Sequence, residues 1–180
     1  MWKIVAPIVM VLVILLLLPG CNDQPSEFSQ KMPAQKIDLQ KYLGTWYEIA
    51  RLPSWFERDL VGVSATYSLK ENGHIEVFNS GYKSTLDGEV SSAVGDAWLP
   101  DKEQTGRLKV SFFGPFTADY TVIVIDDNYQ YAVVCSSPET LWILSRSPKM
   151  DDVLFHRLCG IAQNLGFNMD NLEKVPQRSN

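Results

Sequence analysis

The chain has 180 residues, 46% hydrophobic and 21% charged, with a formal net charge of −5, which fits one globular domain with a sizeable core. Removing residues 1–20 takes only Lys3 from the 16 basic side chains, leaving 15 against 21 acidic ones. That acidic surplus excludes a nucleic-acid backbone as partner and gives no electrostatic attraction to an anionic membrane surface.

Residues 1–20 read as a targeting segment outside the fold. Lys3 is a positive start, residues 9–18 are a continuous apolar run, and Pro19-Gly20-Cys21 follows. The run is short for a membrane span, which needs about 20 apolar residues. Leu18-Pro19-Gly20-Cys21 resembles a bacterial lipobox, and the resemblance implies acylation of Cys21 as the mature N-terminus. Residues 21–37 are polar, carry Pro25 and Pro33 and show no periodicity, so they read as a flexible lipidated tether. Asn22, rather than Asp, directly after the cysteine implies the outer membrane, with the domain facing the periplasm.

From residue 44 the chain breaks into short strands with turn signals between them, expected over 44–51, 61–69, 74–83, 91–99, 106–113, 118–126, 129–136 and 140–147. Gly44 suits a tight turn into the first strand. Strict alternation there puts Trp46, Glu48 and Ala50 on one face and Tyr47, Ile49 and Arg51 on the other. Val61, Val63, Ala65, Tyr67 and Leu69 alternate with Ser64, Thr66 and Ser68. Asn72-Gly73 is a hairpin signal, and Gly114-Pro115 and Asp126-Asp127-Asn128 mark later turns. Residues 52–60 are long for a hairpin and carry Trp55 and Phe56, as binding loops do. The period then changes. Leu154, Leu158, Ile161 or Ala162, and Leu165 recur at helical spacing, with Asp151 and Asp152 at the start and Gly166 at the stop. A short strand over 171–175 and a tail over 176–180 close the chain.

Eight strands in hairpin order suggest a closed barrel without open edges. Gly44-Thr45-Trp46 before the first strand, Asp119-Tyr120 near the start of the sixth and Arg146 at the end of the last resemble the three motifs of the lipocalin family. The stretches 42–51, 110–116 and 141–146 look like its bacterial outer-membrane, apolipoprotein D-like branch. The resemblance covers 38–175. It implies an all-β fold: an eight-stranded antiparallel up-and-down barrel with one C-terminal α-helix packed outside. It also implies a structural floor in which Arg146 stacks over Trp46 beside Gly44, and Trp55 and Phe56 near the open mouth. The implied ligand is a fatty acid or lysophospholipid. Its expected liners are Tyr67, Phe78, Trp98, Phe112, Tyr120 and Trp142, each also compatible with packed core or outer surface. Arg51 and Arg58 are the cations expected nearest a head group. The membrane is the second partner, through the N-terminal acyl anchor, and a homodimer is compatible with the pattern.

No catalytic residue, cofactor or metal is expected. His74 and His156 lack metal-ligand spacing to each other or to a cysteine. Glu48 reads as a structural acid. The alternative is a lipocalin-fold enzyme acting on a lipid-like substrate through a cavity cysteine, which makes Cys135 the residue to place. With Cys21 acylated, Cys135 and Cys159 could form a disulfide stapling the helix to the barrel.

Overall fold

The computed structural model describes residues 23–178, so the targeting segment, Cys21 and Asn22 lie outside the described residues. Two short helices, α1 (Glu27–Lys31) and α2 (Leu39–Tyr42), precede the sheet. The strands are β1 (Gly44–Arg51), β2 (Leu60–Leu69), β3 (Ile75–Lys83), β4 (Val90–Trp98), β5 (Arg107–Phe113), β6 (Phe116–Ile125), β7 (Tyr131–Ser137) and β8 (Thr140–Ser145). Neighbours in sequence pair antiparallel, and β1 closes the ring by pairing with both β2 and β8. Helix α3 (Asp152–Asn164) follows, and β9 (Glu173–Lys174) adds to the far edge of β1. The architecture is the expected eight-stranded barrel with one external C-terminal helix, and each expected strand lies within two residues of its place, the last ending at Ser145.

Two apolar layers share the strands. Trp46, Tyr67, Ile75, Val77, Ala97, Leu108, Val122, Ala132, Val134 and Leu144 fill the inside. Ile49, Ile123, Val133, Cys135, Leu141 and Ile143 face outward and pack under Phe155, Leu158 and Ala162 of α3. Asp151 caps that helix, its carboxylate accepting from the Val153 and Leu154 amides.

A bulge between Glu48 and Ala50 overturns the alternation expected for β1. Ile49 and Ala50 both join the outer layer, so Glu48 pairs with Leu144 and Arg51 with Trp142, on the inner face. The extra residue lets one strand present an acid and a base, three apart, to the same side.

The segment before β1 is not a free tether. The Ser26 amide donates to Asp119, Ser29 is buried with its hydroxyl 2.8 Å from that of Thr121, and the Gln35 amide donates to the Val122 carbonyl. Arg107 donates to the Ser29 and Met32 carbonyls, and Phe28 meets Phe167 edge-on. A polar stretch without periodicity is held here through its backbone carbonyls. The tail is docked as well: the Gln177 amide donates to the Glu48 and Val63 carbonyls, and Arg178 lies 3.9 Å over the Tyr82 ring.

Candidate functional site

The closed end of the barrel is built on Trp46, which is fully buried and donates its indole N–H to the Tyr42 carbonyl at 2.8 Å. The Arg146 guanidinium lies 3.8 Å over the indole and donates to the carbonyls of Lys41, Tyr42, Leu43 and Thr45. Gly44 has φ +90°, a left-handed turn that glycine adopts without strain, directly beside Arg146. Above this floor the Tyr120 hydroxyl lies 2.6 Å from that of Tyr42 and 2.9 Å from that of Tyr67. Burial pushes the Tyr67 hydroxyl up to about 12 and raises Tyr42 and Tyr120 well above the usual range, so the three act as neutral hydroxyls.

Toward the other end the packing loosens. Floor side chains such as Trp46, Val122 and Ala132 have no accessible surface, whereas inward-facing Val110, Phe112 and Trp142 are only partly buried. These three keep accessible surface on the inner side of the barrel wall. Small residues line the inner wall here: Ala65 and Ala93 flank Asn79 across the strands, and Gly95 leaves room for the Phe112 ring, which a Cβ there would meet at 2.7 Å. The Asn79 carboxamide oxygen is buried with no hydrogen-bond partner.

The mouth is closed on one side by the loop between β1 and β2, which carries a 3₁₀ turn, Trp55–Glu57. Arg51 holds it down, donating to Glu48 at 2.8 Å and to the Glu57 and Leu60 carbonyls. Glu57 in turn accepts from the Trp142 indole at 2.9 Å and from Ser54. Burial and the neighbouring Glu57 carboxyl raise Glu48 well above the ordinary carboxyl range, against the pull of Arg51. Phe56 meets Trp142 at 6.4 Å between ring centroids. Between this loop and β9 lies an open groove of about 720 Å³ bordered by Trp55, Arg58, Lys174 and Pro176.

Of the six expected liners, Tyr67, Phe112, Tyr120 and Trp142 face the interior. Phe78 and Trp98 do not. Ile75 and Val77 point inward on an unbroken β3, so Phe78 shares the outer face with Glu76 and is 42% exposed. Trp98 follows inward-facing Ala97 and stacks outside on His74, its indole donating to Asp23. The Ile75-Glu76-Val77 alternation carried the signal for Phe78. Tyr42, Asn79 and Glu57 complete the interior without having been expected there.

Cys135 and Cys159 are free thiols, so the staple is not formed. Cys135 faces the helix layer as a disulfide would need, but it lies in the field of Arg107 and Asp119, while Cys159 lies in that of Lys174. A bridge requires Cα atoms within about 7 Å and converging Cβ vectors. His74 is tied to Asp96 at 2.6 Å on the outer surface. Among the described residues no three His, Cys, Asp or Glu are grouped to hold a metal, and no helix is long and apolar enough to cross a membrane.

Residues 37–177 match the lipocalin-like domain family. The chain is 39% identical over 175 residues to the outer membrane lipoprotein Blc of Citrobacter freundii, covering 96% of this chain and 97% of the relative. The protein of that name from Vibrio cholerae is 41% identical over 165 residues, covering 90% and 94%. Among solved structures, insecticyanin of the tobacco hornworm Manduca sexta aligns with a TM-score of 0.66 at 22% identity, covering 82% of this chain and 85% of that one.

Proposed function

The chain belongs to the lipocalin family, and from that premise we propose that its barrel holds one acyl-chain lipid, a fatty acid or lysophospholipid, for storage, transport or membrane maintenance at the cell envelope. Similarity to the Blc proteins, which runs almost end to end, makes it an outer-membrane lipoprotein of this family. Cys21 is the residue proposed to carry the anchor, with the domain facing the periplasm.

The observation that carries the reading is the graded interior: a tightly packed floor below inward-facing, partly accessible Val110, Phe112 and Trp142. An acyl tail entering this space would replace apolar surface exposed to water, at about 0.8 kcal/mol per buried CH₂. The tail points toward the floor and the polar head stays at the mouth. There Glu48, Arg51 and Glu57 supply charge, and Arg58 stands beside them on the loop. Asn79 gives the interior one acceptor without a donor.

The enzyme reading rested on Cys135 as a cavity nucleophile. Cys135 faces the α3 layer instead, and burial pushes its thiol up to about 12, far from a thiolate. The test is mass spectrometry of small molecules that co-purify with the full chain. Stoichiometric acyl lipid supports the proposal; a delipidated barrel that takes up neither fatty acid nor lysophospholipid overturns it.

A further inference from the structure

β1 leaves the floor at Gly44 and reaches the mouth at Arg51, so the β1–β2, β3–β4, β5–β6 and β7–β8 connections form the rim of the open end. Large apolar side chains stand out of that rim. Trp55 is 78% exposed and Phe56 47% on the first connection, while Phe113 and Phe116, paired across the β5–β6 hairpin, are 66% and 78% exposed. Val90, at the rim end of β4, is 59% exposed. Single exposed apolar residues need no explanation, but a set of aromatics in one rim does. The two aromatic connections are four strands apart in an eight-stranded ring, so they stand on opposite sides of the mouth. A surface touching both must lie flat across the opening.

The path of the N-terminal segment points the same way. Traced backwards, it climbs the outer wall of β6: Gln35 bonds at Val122 and Ile123, Ser29 at Thr121 and Ser26 at Asp119. Asp23 is held beside this wall by Trp98, whose strand partner Lys109 is paired with Asp119. Cys21, two residues earlier in the sequence, lies outside the described residues. Phe116 is three residues above Asp119 on β6, or about 10 Å along the strand. The described chain therefore begins against the β4–β6 wall, on the side of the barrel that carries the Phe113–Phe116 hairpin.

We propose that this aromatic rim is a membrane-docking surface: Trp55, Phe56, Phe113 and Phe116 seat in the boundary between headgroups and acyl chains and hold the barrel mouth against the bilayer. A net charge of −5 gives anionic headgroups nothing to attract, so the contact rests on the rim's apolar area. Aromatic rings suit that boundary, where one part meets hydrocarbon and another water. Docked this way, an acyl chain can pass between bilayer and barrel without crossing water. The inference rests on the lipoprotein anchor, and on the lipid-binding reading only for its purpose.

The test uses the full lipidated chain reconstituted in phosphatidylethanolamine–phosphatidylglycerol vesicles containing a phosphatidylcholine brominated at the upper acyl carbons, which quenches indoles at that depth. Tryptophan emission should be quenched. Trp55→Phe should lose most of the quenching, and Phe113→Ser/Phe116→Ser should reduce it while leaving the denaturant midpoint near wild type. Quenching should be the same when the protein is diluted in lipid. No quenching of Trp55 at any density overturns the proposal. So does quenching that appears only on dilution, which would assign the rim to contact with a second copy. Lipid carried by the same samples is read by mass spectrometry. Carried lipid without Trp55 quenching removes the docking alone; quenching without carried lipid supports the docking and removes the lipid-binding reading.

Discussion

Arg146 holds more of the closed end than a cation–π contact alone. Besides covering Trp46 it donates to four carbonyls in the turn from α2 into β1, where the helix ends and its last carbonyls need partners; that of Tyr42 also accepts from the Trp46 indole. Arg146→Ala should lower stability by about 2–4 kcal/mol in denaturant melts, since it removes the stacking and several charge-assisted hydrogen bonds together. Arg146→Lys should recover only part of this, because an ammonium cannot reproduce the planar fork. Equal midpoints for wild type and Arg146→Ala would dismiss the role. Glu48 makes a second case at this scale. Its folded pKa is raised, so the folded state binds more protons than the unfolded chain above the ordinary carboxyl value of about 4.3. Stability therefore falls as pH rises from there toward the raised value. Glu48→Gln removes that slope. Its melting temperature relative to wild type should climb as the pH is raised above the ordinary carboxyl value, and a constant difference would count against a proton held on Glu48.

At the level of elements, what could be read in advance was whatever repeats. The helical spacing of α3 and the Gly44–Trp46 and Arg146 landmarks appear in the structure where the residues placed them, whereas the even alternation expected along β2 is broken by a bulge between Val61 and Ser64, and Leu69 at its end is 47% exposed. The bulge after Glu48 could not be read, because one extra residue in a strand leaves no compositional trace and yet moves Arg51 to the inner face. Nor could the binding of residues 26–35, which is made by backbone carbonyls meeting Arg107 rather than by an apolar stripe. Arg107→Ala should accordingly raise amide hydrogen exchange across α1 and its flanks while β1 and β8 stay protected. Exchange that rises evenly over the barrel would mean the segment is part of the core unit. The layer between α3 and the barrel makes its own prediction. Denatured without reductant, the protein should titrate two thiols from Cys135 and Cys159, and in the native state at pH 8 Cys135 should stay unmodified, since its thiol is buried and pushed up to about 12. No free thiol in the denatured sample would restore the disulfide.

For the whole molecule the question is how the proposed acyl-chain site would divide binding between its closed floor and its mouth. If the tail does the binding, each added methylene buries more surface until the chain meets the tyrosine hydroxyls and the Trp46 floor. Affinity should then rise steeply with length and level off when the space is filled. At about 0.8 kcal/mol per CH₂ the first few carbons are each worth several-fold, less what is lost in ordering the chain. If the head group does the binding, through Arg51, Glu48 and Glu57 at the mouth, length should hardly matter. The charges favour the first case. Arg51 already commits both terminal nitrogens to Glu48 and to the Glu57 and Leu60 carbonyls, which leaves only its buried Nε to offer a carboxylate or phosphate. Titrating delipidated full chain with saturated fatty acids and lysophospholipids of increasing length, followed by the emission of Trp142 inside the cavity against a Trp142→Phe control, separates the two. The expected curve climbs from 8 toward 16 carbons and changes little between the two head-group classes. A flat series, or a large preference for one head group at every length, would shift the binding energy from the barrel to its mouth and overturn the acyl-chain reading of the cavity.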